Sequence, residues 1–204
     1  MNDDLNSVKS ERAYHHGSLR TALIQAAGAV LAERGVHGFS LRETARRAGV
    51  SPAAPAHHFK DASGLLTAVA AGAFRDLGDS LEAAQSAGSR EAGIRAQGIA
   101  YVRFALANRA RFDLMWRAAL LKRDDPDYAA AAARAFFLLD RSVRGGERPA
   151  KAPGEPETAP SIACWAMVHG FATLALDGGF GTAPGATEAA VEELLPAVLD
   201  HLAV

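Results

Sequence analysis

The residues best suited to chemistry fall in one short stretch. Ser40-Leu41-Arg42-Glu43 and Ser51-Pro52 each set a serine ahead of a short helical segment. A helix start carries free amides and the positive end of the helix dipole, and a hydroxyl there adds to a site that suits an anion such as phosphate. Arg42 contributes a cation on the first turn of the first segment, while His57, His58 and Lys60 crowd the end of the second. This pattern binds a polyanion and does not turn over a substrate. The lone cysteine, Cys164, lies in an apolar run with no activating base, and no Gly-x-Gly-x-x-Gly loop follows a strand, so neither an enzyme nor a cofactor is expected. His15 and His16 are adjacent, point to different helix faces and have no carboxylate cluster beside them, so no metal is expected.

The elements that position these residues read as all-α. Alanine and leucine dominate, period-2 segments are lacking, and no repeat of fixed length occurs. A first helix is predicted from Ser18 to Arg34, with Leu19, Leu23, Ala26, Ala27, Val30 and Leu31 at helical spacing and Gly35 as cap. A second begins in the capping box Ser40-Leu41-Arg42-Glu43 and ends at Gly49. Ser51 and Pro52 then suit the cap and first position of a third short helix ending near Phe59. Two short helices across the tight turn Ala48-Gly49-Val50-Ser51 form a helix-turn-helix pattern. Asp61 or Ser63 opens a fourth helix striped by Leu66, Val69, Ala70, Ala73 and Leu77. Further helices are predicted at 90–107, 110–122, 126–143, 161–177 and 187–203, the last kinked or restarted at Pro196. The Gly- and Pro-rich stretch 145–160 reads as a mobile loop without helix.

With 204 residues, 49% apolar and 22% charged, the chain can bury a core in a small domain fused to a larger one. The net charge of −1 conceals a basic head, +3 over residues 1–60 against −4 beyond, and five of the seven histidines lie in that head. The N-terminus lacks the basic-then-apolar pattern of a signal peptide, and no uninterrupted apolar run spans a membrane. With one cysteine excluding an internal disulfide, a cytoplasmic location is expected.

The stretch Tyr14–Val69 resembles the N-terminal domain of TetR-family regulators. The matching residues are Tyr14-His15-His16-Gly17, Leu19-Arg20, Ala26-Ala27, Gly35, the contiguous run Phe39 to Ser51, Phe59, Asp61, Leu65-Leu66 and Val69. The resemblance implies a three-helix DNA reader, residues 1–62, followed by a helical ligand-binding and dimerising body, residues 63–204. On that basis Ser40, Leu41, Arg42, Ser51, Pro52, Ala53, Ala54, Ala56, His57, His58 and Lys60 are the expected DNA contacts. Alanine methyls suit thymine methyls, and His57 can hydrogen-bond a base edge. Relatives carry a tyrosine at Ala56 and a lysine at Ala62, both phosphate contacts, so this chain departs from the pattern there.

A second resemblance covers Ala163–Leu174, where Trp165 and His169-Gly170 are similar to a Trp…His-Gly signature of one TetR subgroup. Trp165 and His169 stand one helical turn apart. The segment is apolar all round and so must be covered on two sides. Val168, Phe171, Val191, Leu195, Val198 and Leu202 are therefore expected at a two-fold interface, and Tyr101, Phe104, Phe112, Met115, Trp116, Phe137, Trp165 and His169 at a ligand pocket, with Phe136 beside them and Arg103 as a further polar anchor. The alternative is that most of the pocket residues are ordinary core, which is the favoured reading for any single one of them. The reading is a homodimeric, ligand-responsive repressor of a palindromic double-stranded DNA operator, released by a small apolar or amphipathic effector. The alternative is a small-molecule-binding protein of the same fold with weakened DNA recognition.

Overall fold

The computed structural model describes residues 4–85, 89–146, 151–181 and 183–201, with side chains from Leu19 onward. The described residues form helices joined by turns and short irregular segments, without strand. Helix α1 (Asp4–Arg34) ends at Gly35, whose φ of 64° accommodates the left-handed cap. It begins well ahead of the predicted Ser18. Its buried stripe, Leu23, Ala27, Val30 and Leu31, lies on the side that packs on the short helix α2 (Leu41–Arg47) and on α4 (Ala62–Ala83), while the second short helix, α3 (Ala54–Phe59), rests on α2 and α4.

Helix α4 is the axis of the molecule. Its predicted stripe is buried, and it packs along α7 (Pro126–Arg144), α5 (Arg90–Ala107) and α6 (Arg109–Met115). Helix α8 (Ala159–Leu176) lies against α5 and α7. The chain closes with α9 (Ala186–Ala189), a π-helical turn (Ala190–Leu194) and α10 (Leu195–Leu199). One apolar core runs from Leu23 of α1 to Leu199 of α10. Gly98 of α5 makes this packing possible, because a methyl group there would stand 2.9 Å from Leu199 and 3.3 Å from Val168.

Four further features depart from the sequence expectation. Helix α3 starts at Ala54, three residues after the expected cap Ser51. The cause is Pro55, which has no N–H to return to the Ser51 carbonyl, so Ser51 accepts only a tight-turn bond from Ala54 N at 3.0 Å. Helix α6 stops at Met115, and a short 3₁₀ turn (Ala118–Leu120) replaces its expected continuation. The predicted loop 145–160 contains a 3₁₀ turn (Pro156–Thr158), with Thr158 fully buried and its Oγ1 donating to Glu155 O at 2.7 Å. The last helix adjusts ahead of Pro196 by a π turn.

By length and composition the segment Pro156–Leu176 is apolar enough to cross a membrane, with mean hydropathy 1.4, although polar residues interrupt its apolar run. In this fold it buries Cys164, Val168, Phe171, Ala172 and Ala175 against its neighbours.

Candidate nucleic-acid interface and ligand cavity

The first site is built on α2 and α3. Ser40 caps α2 with extended backbone, and its Oγ accepts from Glu43 N at 3.4 Å. The reciprocal half of the capping box does not form. Glu43 instead accepts from Arg46 at 2.8 Å and Arg47 at 2.9 Å, with Arg34 at 3.4 Å, since guanidinium groups attract a carboxylate more strongly than one neutral amide does. The Arg46 and then the Arg47 hydrogen bonds hold the Glu43 carboxyl down at about 2. Arg47 also binds Glu33 of α1, so this cluster fastens α2 to α1.

Helix α2 ends in a Schellman motif. Val50 N donates to Ala45 O at 3.0 Å, Gly49 N donates to Arg46 O at 3.2 Å, and Gly49 takes φ 69°. The turn releases the chain into α3 with Ser51, Pro52, Ala53, Ala56, His57 and Lys60 exposed on one side. Ala54 and His58 are half-buried, and the buried residues of the helix are Pro55 and Phe59. Leu41 is half-buried and packs on the core, whereas Arg42 is exposed. Among the described residues Arg42, His57 and Lys60 make no side-chain hydrogen bond or ion pair, which leaves three groups free at the face where DNA contacts were expected. Arg20 of α1 lies 5.3 Å over the Phe59 ring, fixing α3 from behind.

Between α3 and α4 the chain reverses in two residues. Lys60 has φ 70° and ψ −52°, and Asp61 N donates to Phe59 O at 2.9 Å, which makes Lys60 the centre of a positive-φ γ-turn, a strained conformation. Asp61 then caps α4 by accepting from Gly64 N at 2.8 Å. No side chain fits at Gly64, where a methyl group would stand 2.0 Å from Phe59 O.

The same first turn of α4 is tied to the segment after α6. Ser63 Oγ donates to Leu120 O at 2.8 Å, Lys122 N donates to Thr67 Oγ1 at 2.9 Å, and Lys122 Nζ pairs with Asp61 at 2.8 Å. That segment, from Trp116 to Arg123, also forms one wall of a cavity of about 470 Å³.

The cavity lies between α4, α5, α7 and α8. Tyr101, Met115, Trp116 and Trp165 line it, as does the neighbouring Phe136. Phe104, Phe112, Phe137 and His169 do not. His169 and Phe112 pack behind the wall, with the Trp116 ring 4.8 Å from that of His169, and Phe137 turns to the next face of α7. Arg103 is exposed. His169 and Trp165 nevertheless meet at Tyr101. Trp165 Nε1 donates to the Tyr101 hydroxyl at 3.3 Å, and that hydroxyl lies 2.9 Å from His169 Nδ1. Burial pushes the Tyr101 hydroxyl well above its ordinary range and the His169 imidazole below its own. Sequence reasoning missed Gln97, which is fully buried and lines the cavity. Its signal was a polar residue within the Ile94–Gly98–Tyr101 stripe of α5.

The expected interface residues are corrected by the packing. Val168, Phe171, Val191 and Leu195 are buried within the chain and Val198 is half-buried, while Leu202 lies outside the described residues. The apolar surface left open belongs to the opposite side, with Ala163, Ala166, Leu174 and Leu194 exposed. The side chains of His15 and His16 also lie outside the described residues.

A helix-turn-helix beside a helical body is the layout of a DNA-binding transcriptional regulator. Residues 23–69 match the bacterial regulatory proteins of the tetR family, and residues 94–198 match the tetracyclin repressor-like C-terminal domain. The chain belongs to the TetR family of transcriptional regulators. The HTH-type transcriptional regulator BetI of Yersinia pestis is 40% identical over 63 residues, and the match covers 31% of this chain and 32% of BetI. The chain thus spans about a third of the length of the curated relatives it matches. Among solved structures, a protein of unknown function from Rhodococcus sp. RHA1 is 33% identical with TM-score 0.74, over 94% of this chain and 96% of that one. PfmR of Thermus thermophilus shares the fold at 20% identity and TM-score 0.63, over 88% and 96%. RolR in complex with resorcinol shares it at 20% and 0.59, over 94% and 91%.

Proposed function

We propose that this protein is a homodimeric repressor whose operator affinity is lowered when a small molecule enters the cavity. Residues 1–62 serve as the DNA reader and 63–204 as the sensing and dimerising body. The observation that carries this reading is the shared segment Trp116–Arg123, which walls the cavity on one side and grips the first turn of α4 on the other. A ligand that moves this segment pulls on Asp61, Ser63 and Thr67, adjacent to the γ-turn that suspends α3. In a dimer two reader helices must stand about 34–36 Å apart to enter successive major grooves, so small tilts of α4 suffice to break register. Coupling of this kind typically amounts to about 1–3 kcal/mol. The exposed apolar side of α8 with Leu194 is the surface we assign to dimerisation. The resorcinol-bound RolR supports a small-molecule effector as a general expectation for this fold.

Fluorescence anisotropy on DNA from upstream of the protein's own gene, titrated in salt, tests the reading. Specific binding should weaken by about 0.9 log units per neutralised phosphate for each log unit of salt. Binding that shows no preference over random DNA at any salt refutes it. The exposed Pro52, Ala53 and Ala56 offer few donors and favour a second reading, a sensor with reduced DNA recognition. In that case Ala56→Tyr with Ala62→Lys raises affinity sharply, whereas tight binding by the unmodified protein rejects it.

A further inference from the structure

Trp165 and His169 stand one turn apart on α8 and converge on a single atom of α5. Trp165 Nε1 donates to the Tyr101 hydroxyl at 3.3 Å, and His169 Nδ1 lies 2.9 Å from the same oxygen. Tyr101 is buried, and a buried hydroxyl stripped of its partners is costly, so these bonds fix the rotation and register of α8 against α5. The same two side chains seat Trp116. Its ring centroid lies 4.8 Å from that of His169, edge-on, and 5.4 Å from that of Trp165. Trp116 also meets Phe74 of α4 edge-on at 5.5 Å. From Trp116 the chain runs into the segment whose Leu120 and Lys122 are bonded to Ser63 and Thr67 at the start of α4. Helix α8 meanwhile carries the exposed Ala163, Ala166 and Leu174. The helix with the open apolar side thus reaches, through two of its side chains, the residue from which the grip on α4 starts.

We infer, on the dimeric, ligand-responsive reading above, that Trp165 and His169 are positioning residues joining the dimerising helix to the DNA reader. By clamping Tyr101 they hold α8 against α5, and by seating Trp116 they set where the segment Trp116–Arg123 meets α4. Trp116 and Trp165 also line the cavity, so an occupant that parts them acts on this joint directly.

Amide exchange of the full-length protein, followed by NMR, tests the joint at Lys122, whose amide donates to Thr67 Oγ1 and so reports the grip on α4. His169→Leu should speed exchange there about three- to tenfold, the effect of about one lost hydrogen bond. His169→Asn should stay within about twofold of the parent, because an amide offers a donor or an acceptor in the place of Nδ1. Phe171→Leu, which thins the core of the same helix beside Phe180, should leave Lys122 unchanged. Tyr101→Phe removes the shared hydroxyl and keeps the ring, so it should match His169→Leu and decides the matter if the leucine variant does not fold. Unchanged exchange at Lys122 in Tyr101→Phe overturns the inference and leaves the DNA-binding reading intact, as does equal acceleration in Phe171→Leu or an asparagine variant as fast as the leucine one. Anisotropy on operator DNA separates the two ideas, since His169→Leu should also weaken binding about three- to tenfold. If Lys122 responds as described while operator affinity does not, the joint stands and repression controlled through α4 falls.

Discussion

Replacing Gly64 by alanine tests the architecture that joins the reader to the body. Gly64 sits in the first turn of α4, and an added methyl would stand 2.0 Å from Phe59 O and 3.1 Å from Phe59 C. Both are backbone atoms, so no side-chain rotation relieves the contact. The Phe59 carbonyl also accepts the bond that closes the γ-turn at Lys60, so relief means opening that turn and displacing α3 from α4. Overpacking of this kind costs about 1–3 kcal/mol, and losing the turn's hydrogen bond costs about 1 more. Against this stands the roughly 1 kcal/mol by which alanine exceeds glycine in helix propensity. The net cost is about 1–3 kcal/mol, which for a chain of this length lowers Tm by roughly 2–12 °C. Gly28→Ala is the matched control. Gly28 is helical in α1 and a methyl there meets nothing within 4 Å, so the same change should raise stability by about 0.5–1 kcal/mol. Calorimetric melts of both variants and anisotropy on operator DNA provide the readout. If Gly64→Ala melts at or above the parent temperature with unchanged DNA affinity, the tight junction between α3 and α4 is refuted.

Three further outcomes are expected. Lys60→Gly removes a strained left-handed lysine and a cation from the reader face together, so Tm should rise while DNA affinity and its salt slope fall; a variant that loses both stability and binding contradicts this. Glu43, held at about 2 by Arg46 and Arg47, contributes stability that is complete above about 4.5 and lost as pH falls toward 2. Denaturant titrations between those values should therefore show a steeper decline for the parent than for Glu43→Gln. Desolvation lowers the His169 imidazole below its ordinary value of 6.5, so the unfolded chain takes up its proton first. Stability should accordingly decline as pH drops below 6.5 and level off once the folded imidazole is protonated, and His169→Gln should flatten that part of the profile.

How much was legible in the sequence depended on how local the cause was. The helix-turn-helix could be read because its signals act within a few residues: the Ser40 cap, the left-handed Gly49, and the contiguous run from Phe39 to Ser51. Helices α5 and α7 likewise lie where the sequence reading put them, and each opens on a local cap, Ser89 for α5 and Asp125 for α7. The stop of α6 at Met115 had no local sign, since the turn and segment that replace it are held by a hydrogen bond from Ser63 and another accepted by Thr67, about 55 residues away in sequence.

The same division separates the candidate residues that lie where the sequence reading put them from those that the packing places elsewhere. Composition located an aromatic region near Trp116 and Trp165, but which rings face the cavity depends on how far each helix is rotated about its axis. That rotation is decided by packing partners such as Gly98 against Leu199 and Val168. An apolar helix such as α8 offers two similar faces, so the expected interface set Val168 and Phe171 on the outside when the core had taken them. The sequence alone determined the helical class, the DNA-reading motif and its family, because caps, glycines and periodicity encode local backbone geometry. Only the tertiary structure decided which side of each helix is buried, where the cavity lies and that Gln97 is among its lining residues, because those follow from the competition among many apolar faces for one core.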